Sequence, residues 1–137
     1  MKSRSESLIR LKKFQVDEKR RQVTQIEMMI ADFERMASEL DQQIEIEQTK
    51  TGISDIAHFA YSTFAKAAAA RRDNLLASAN DMKSQLEVTQ DALAEAVEEL
   101  KKVELLDQRE HGRELAEEAK AEQSEYDEMG RLRHIRR

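Results

Sequence analysis

The sequence has no cysteine, no proline and no tryptophan, and only three glycines, four phenylalanines and two tyrosines among its 137 residues. Without cysteine the chain forms neither disulfides nor thiolate metal sites, which suits a reducing compartment. Without proline, and with glycine only at Gly52, Gly112 and Gly130, little interrupts long helices. Because 37% of the residues are charged and bulky apolar residues are scarce, a thick globular core is excluded. The composition favours a thin helical seam.

No stretch approaches the roughly 20 apolar residues that a membrane-spanning helix needs. The basic start, Met1–Arg4, leads into an amphipathic segment rather than an apolar one. We therefore expect neither a secretion signal nor a membrane anchor, and a cytoplasmic location.

The net charge of −5 conceals two basic ends and an acidic interior. Residues 1–22 and 131–137 are rich in Lys and Arg, whereas acids crowd residues 27–47 and 87–128. Such basic runs can neutralise the phosphates of nucleic acid or anionic lipid. We expect acids on a facing helix to match part of the N-terminal cluster, and the short tail has no interleaved aromatic residue to stack on bases. No nucleic-acid partner is therefore expected.

Apolar residues recur with a seven-residue period in two segments, which is typical of a coiled-coil seam. The first segment has β-branched residues at most of its a positions, and the second matches it in length. The predicted seam consists of Val16, Val23, Ile26, Ile30, Phe33, Ala37, Leu40, Ile44, Leu75, Ala79, Met82, Leu86, Leu93, Ala96, Leu100 and Val103.

The chain is expected to reverse at residues 49–55, where Gly52 can adopt a left-handed helix-ending conformation and Ser54 can cap the next segment. The prediction is an all-α fold, a long antiparallel two-helix coiled-coil hairpin with helix 2 overhanging at its C-terminus. A single domain spans residues 1–137. It comprises helix 1 at about 4–49, the turn and tip at about 50–62, helix 2 at about 63–130 and a basic tail at 131–137.

The pairing of large with small residues predicts a register in which Ile44 faces Leu75. This register also brings Lys12 near Asp107 and Glu47 near Arg72, and helix 1 ends opposite residue 118. The register one heptad away is disfavoured because it places Leu40 against Arg72. Beyond Leu105 the heptad changes phase, and this fresh series predicts a surface for another partner.

Three aromatic residues, Phe59, Tyr61 and Phe64, cluster between the turn and the second stripe. The simpler interpretation is that their rings close the tip of the hairpin, with Ser62 capping helix 2. The alternative is a docking tip, in which they anchor a partner protein.

Features of catalytic sites are absent from the sequence. The histidines His58, His111 and His134 are scattered without metal-ligand spacing, and no glycine-rich phosphate loop is present. The carboxylates have the positions of solvated coiled-coil flanks. We expect no enzyme activity, no metal, no cofactor and no small-molecule substrate.

Five segments resemble the FliJ family in its alphaproteobacterial form: Leu8–Val23, Gly52–Asp55, His58–Lys66, Arg71–Leu75 and Glu99–Val103. FliJ proteins are the small soluble coiled-coil subunits of the bacterial flagellar type III export apparatus. The resemblance covers nearly the whole chain.

The resemblance implies a stalk-like protein whose two ends, residues 1–22 and 113–137 here, enter the ring of the flagellar export ATPase. It also implies contact with the regulator of that ATPase, with the cytoplasmic domain of the membrane export gate and with export chaperones, at the inner-membrane base of the flagellum. The candidate ATPase-binding residues are Arg4, Arg10, Lys13, Arg20, Leu115, Tyr126, Met129, Arg131, Arg133, Arg136 and Arg137.

Two alternatives stay open. A free-standing structural or nucleic-acid-binding helical hairpin would bind RNA or DNA with steep salt dependence. An intermolecular coiled coil would melt at a temperature that rises with concentration, whereas we expect a monomer when the protein is alone.

Overall fold

A computed structural model describes residues 4–135 of the chain. Over this range the protein consists of two helices, α1 (Arg4–Thr51) and α2 (Thr63–Ile135), and contains no strand. The helices, of 48 and 73 residues, pack against each other as an antiparallel pair. The predicted all-α helical hairpin is confirmed.

The end of α1 is set by Gly52. Its φ of 72° lies in the left-handed region that glycine enters without steric cost, and its N–H donates to the carbonyl of Gln48 at 2.9 Å. Lys50 in the last turn complements the partial negative charge of the helix C-terminus. The helix therefore stops where the glycine allows the chain to turn.

The start of α2 is set by Ser62. Its hydroxyl accepts a hydrogen bond from the N–H of Ala65 at 3.3 Å and donates one to the carboxylate of Glu47 at 3.0 Å. The expectation that Ser54 caps the following segment is wrong, because residues 53–62 are non-helical. There the carboxylate of Asp55 instead accepts the N–H of Ala57 at 3.0 Å and holds a turn.

The contacts divide the chain into two compact units. The terminal unit contains the residues up to Val16 together with those from Ala96 onward, and the tip unit contains Asp17–Glu95. Each unit includes a stretch of both helices.

In the tip unit, the predicted register is wrong by one heptad. Ile44 packs against Ala65 and Ala68 rather than facing Leu75, so facing residues have numbers that add to about 112. One heptad along a helix is about 10.5 Å. Glu47 therefore lies at Ser62 and not at Arg72.

In this register Arg72 faces Leu40, the pairing for which the register was disfavoured, and hydrogen bonds of Arg72 stabilise the layer. Its guanidinium donates to the carboxylates of Asp41 at 2.8 Å and Asp73 at 3.0 Å, so the charge reaches out of the seam. These hydrogen bonds, first that to Asp41, raise the pKa of Arg72 above its ordinary value. An arginine in the seam is thus tolerated, because its charge is paired at the edge.

The terminal unit has the same register. Lys12 reaches Glu99 at 2.9 Å, where Asp107 was expected, and Ser5 donates to Glu110 at 3.0 Å. Among the described residues, the pairing of α1 therefore ends near Glu110 rather than near residue 118. Every residue of α2 from 108 to 135 is exposed. The overhang is therefore longer than the predicted register allows.

Neither helix, over the residues that the structure describes, combines the length and apolarity needed to cross a membrane.

Candidate partner-binding surfaces

The structure buries the predicted seam residues to different degrees. Six are buried: Val16, Val23, Ile30, Ala37, Ile44 and Ala79. Ten are half-buried: Ile26, Phe33, Leu40, Leu75, Met82, Leu86, Leu93, Ala96, Leu100 and Val103. Sequence reasoning missed Ala65 and Ala68, which are buried against Ile44. Their spacing of three, followed by Arg72 and Leu75, continues the second stripe and was the available signal.

The cations at the start of α1 are exposed and mostly unpaired. Among the described residues, Arg4, Arg10 and Lys13 make no ion pair, and Arg20, in the tip unit, lies 4.0 Å from Asp17 of its own helix. The expected matching by acids of the facing helix holds for Lys12. Its bond to Glu99 lowers the pKa of that carboxyl. The other cations remain available to a partner.

The free end of α2 is the part of the terminal unit beyond the pairing, residues 111–135. Leu115, Tyr126 and Met129 lie there with more than half of each side chain exposed, and Arg131 and Arg133 follow. Spacings of eleven and three place the first three on one helix face. The remaining predicted residues of this group, Arg136 and Arg137, lie outside the described range.

The three tip aromatics have different environments. Tyr61 packs against the Ile44 cluster, and its hydroxyl accepts a hydrogen bond from Gln48 at 3.1 Å. Phe59 is 97% exposed and stacks only on His58, with ring centroids 4.7 Å apart. Phe64 is also exposed, at the edge of a groove next to Leu40 and Arg71.

Tyr61 alone therefore closes the tip, and Phe59 points its whole ring into solvent. Ile56, in the same non-helical segment as Phe59, is also exposed. Water-exposed rings of this kind are a feature of interaction sites rather than of folding cores.

The arrangement of titratable groups gives no sign of reaction chemistry. Within residues 4–135 no three His, Asp or Glu side chains converge as metal ligands, and no charged or polar side chain is buried. The two resolved pKa shifts belong to surface ion pairs. What these surfaces offer is contact area and charge.

Comparison with known proteins places the chain in a family. Neither the curated proteins nor the solved structures gave a match. The family model described as the flagellar FliJ protein matches residues 1–137, the whole length of the sequence. The chain therefore belongs to the FliJ family, whose members are components of the flagellar protein export apparatus.

Proposed function

We propose that this protein is a non-enzymatic, stalk-like coiled coil whose terminal unit binds the export ATPase ring and thereby assists export of flagellar proteins. The observation that supports the proposal is the free end of α2. It continues as a helix for about 25 residues after its pairing with α1 has ended, and all of its residues are exposed.

The free end of α2 has the chemistry of a surface that another protein covers. Binding would remove the apolar surface of Leu115, Tyr126 and Met129 from contact with water. Large exposed apolar groups aligned on one helix face are unusual for a surface that stays in contact with solvent. Arg131 and Arg133 add positive charge beyond this stripe. A ring lumen lined by apolar and acidic groups would match both features.

The unpaired cations of α1 add a second part to the same contact. Within residues 4–135, Arg4, Arg10 and Lys13 have no ion pair to lose. A partner's carboxylates can therefore attract them without breaking a bond described there. Arg20 belongs to the tip unit, and we propose it as a separate contact that would form at the cost of its long contact with Asp17.

The tip is proposed to dock on the cytoplasmic domain of the membrane export gate. Phe59 is the anchor, because its fully exposed ring can fill a pocket on a partner, and Phe64 extends the contact. Tyr61 supports the tip from inside by its hydrogen bond to Gln48. We further propose the regulator of the ATPase and export chaperones as partners, on the cytoplasmic side of the inner membrane at the flagellar base.

Deletion of residues 119–137 tests the ATPase contact. The shortened chain should lose its stimulation of the cognate ATPase. Its thermal unfolding should stay unchanged, because residues 119–135 are exposed and lie beyond the end of the pairing with α1. A matched control replaces exposed apolar residues elsewhere, Met28, Ile46 and Val88, with serine and should stimulate normally. Full stimulation by the shortened chain would contradict the proposal.

A separate variant, Phe59→Ala, tests the gate contact. It should weaken binding to the purified gate domain at least tenfold without changing the stability of the chain, because the ring has no packing partner beyond His58. Unchanged gate binding would remove the tip from the proposal and leave the ATPase contact standing.

A further inference from the structure

The paired part of the terminal unit carries four exposed leucines that the proposed function does not use. One of them, Leu105, takes an outward f position, and the other three lie to one side of the seam. Leu8, Leu11 and Leu106 are 42%, 49% and 57% exposed. With Ile9 and Val16 in the seam, Leu8 takes a g position and Leu11 a c position. In the structure the earlier heptad phase continues past Leu105, because Asp107 is half-buried and Ser5 bonds to Glu110. Leu106, three residues after Val103, therefore takes a g position of α2.

These positions bring the leucines to one side of the seam. In an antiparallel pair, g positions of both helices flank one side and e positions flank the other, with c positions bordering g. The bonds Ser5–Glu110 and Lys12–Glu99 align the two leucine-bearing segments. Leu8, Leu11 and Leu106 together define what we name the leucine face.

Three cations border the leucine face. Arg4, Lys102 and Arg109 occupy the c positions that border it, and none of them has an ion pair among the described residues. Two acids lie on the same side of the seam. Glu99, in a g position, is held by Lys12 at 2.9 Å, and Glu110, in a d position, accepts a hydrogen bond from Ser5 at 3.0 Å. The face is thus apolar at its centre, with three cations and two hydrogen-bonded acids at its rim.

We infer that the leucine face binds the surface of an anionic lipid bilayer. Leucine side chains that project from one side of a two-helix unit can enter the boundary between headgroups and acyl chains, while arginine and lysine contact the lipid phosphates. The exposed apolar residues of this paired segment, which also include Phe14 and Leu105 at f positions, share one continuous arc of f, c and g positions. A single arc favours a flat surface over a protein lumen, which would surround the helices. This inference does not depend on the proposed function.

The leucine face can bind a surface without unfolding of the hairpin, because its residues are not part of the packing between the helices. The seam layers at Val16 and Val103 lie beneath it, and the three leucines make no part of the buried core. Replacing them should therefore leave the hairpin intact. Since Arg4 belongs to both proposed contacts, bilayer and ATPase ring would compete for the chain.

Cosedimentation of the full chain with lipid vesicles tests the inference. Vesicles of phosphatidylcholine alone are compared with vesicles containing about 30% phosphatidylglycerol, which reproduce an anionic leaflet. The chain should bind the anionic vesicles and not the neutral ones, and added salt should weaken the binding.

Three variants locate the binding. Leu8→Ser with Leu11→Ser and Leu106→Ser should bind at least tenfold more weakly. Arg4→Gln with Lys102→Gln and Arg109→Gln should bind about a hundredfold more weakly, since each cation near the surface contributes about fivefold. The control with serine at positions 28, 46 and 88, which removes even more exposed apolar groups from the tip unit, should bind like the original chain.

Three results would overturn the inference. They are an absence of binding to anionic vesicles, equal binding to neutral vesicles, and undiminished binding of the leucine variant. The third result would assign the attraction to cations elsewhere, such as the basic tail. Loss of ATPase stimulation by the leucine variant, without any vesicle binding by the original chain, would assign the face to a protein. Circular dichroism of every variant verifies that the hairpin remains folded.

Discussion

Replacing Ile44 with alanine should destabilise the protein by about 2–3 kcal/mol. Ile44 is 7% exposed and packs against Ala65, Ala68 and Tyr61. Removal of buried methyl and methylene groups costs their transfer free energy together with the cavity left behind, and a buried isoleucine changed to alanine loses roughly 2–5 kcal/mol.

The lower half of that range applies here for a structural reason. The alanine neighbours are too short to fill the space, which argues for a real cavity, but a two-helix seam is one layer deep and water can reach it. Ile46, two residues away, is 67% exposed and serves as the matched control. Ile46→Ala should change the free energy of unfolding by less than about 0.5 kcal/mol.

Urea denaturation followed by far-ultraviolet circular dichroism measures both variants. Ile44→Ala should move the denaturation midpoint clearly, and its melting temperature should fall by about 5–10 °C. If Ile44→Ala and Ile46→Ala proved equally stable, Ile44 would not lie between the helices and the register described here would be refuted.

Four smaller changes test the turn, the helices and an ion pair. Gly52→Ala should destabilise the protein by about 1–2 kcal/mol, because the φ of 72° is strained for a residue with a Cβ. Gly112→Ala, in a helix with open space around it, should stabilise the protein by up to about 1 kcal/mol. Thermal unfolding measures both effects. Ser62→Ala should cost about 1 kcal/mol through loss of the cap on α2, measured in the same way. Lys12 lowers the pKa of Glu99, so the stability from this pair is present above the ordinary glutamate pKa of about 4.3 and is lost as pH falls through the lowered folded value. The variant Glu99→Gln should flatten that part of the stability profile against pH, and an unchanged profile would show that the pair contributes nothing.

The two helices were predictable because local signals agree with tertiary packing. The absence of proline, the heptad spacing of Val16, Val23 and Ile30, and a glycine at position 52 all point to a hairpin that closes there. The same consistency makes the FliJ resemblance visible in the sequence and explains why the family model matches throughout.

The register was mispredicted because two energetic effects are invisible in the pattern. Arg72 counts as a penalty at a seam position, yet its reach to Asp41 removes its charge from the interface. Ala65 and Ala68 count as weak hydrophobic residues, yet their small size lets Ile44 approach closely. The resulting shift of one heptad preserves the a/d stripe, so periodicity alone does not distinguish the registers.

The candidate surfaces were predictable in type but not in detail. The sequence groups Phe59, Tyr61 and Phe64 together, but the cap at Ser62 and the turn at Asp55 decide that Tyr61 packs inward while Phe59 stays in solvent. Likewise the cations of α1 are visible as a cluster, but only the contacts show that Lys12 is paired.

Disulfide trapping tests the central claim, that α1 and α2 pair within one molecule with Ile44 at Ala68. The chain has no cysteine of its own, so pairs can be introduced without background. A disulfide needs Cα atoms within about 7 Å, whereas one heptad of displacement adds about 10.5 Å. Mild oxidation of a dilute sample should cross-link Ile44→Cys with Ala68→Cys inside the monomer and leave Ile44→Cys with Leu75→Cys unlinked. Cross-linking of the second pair alone, or the appearance of covalent dimers alone, would contradict the account.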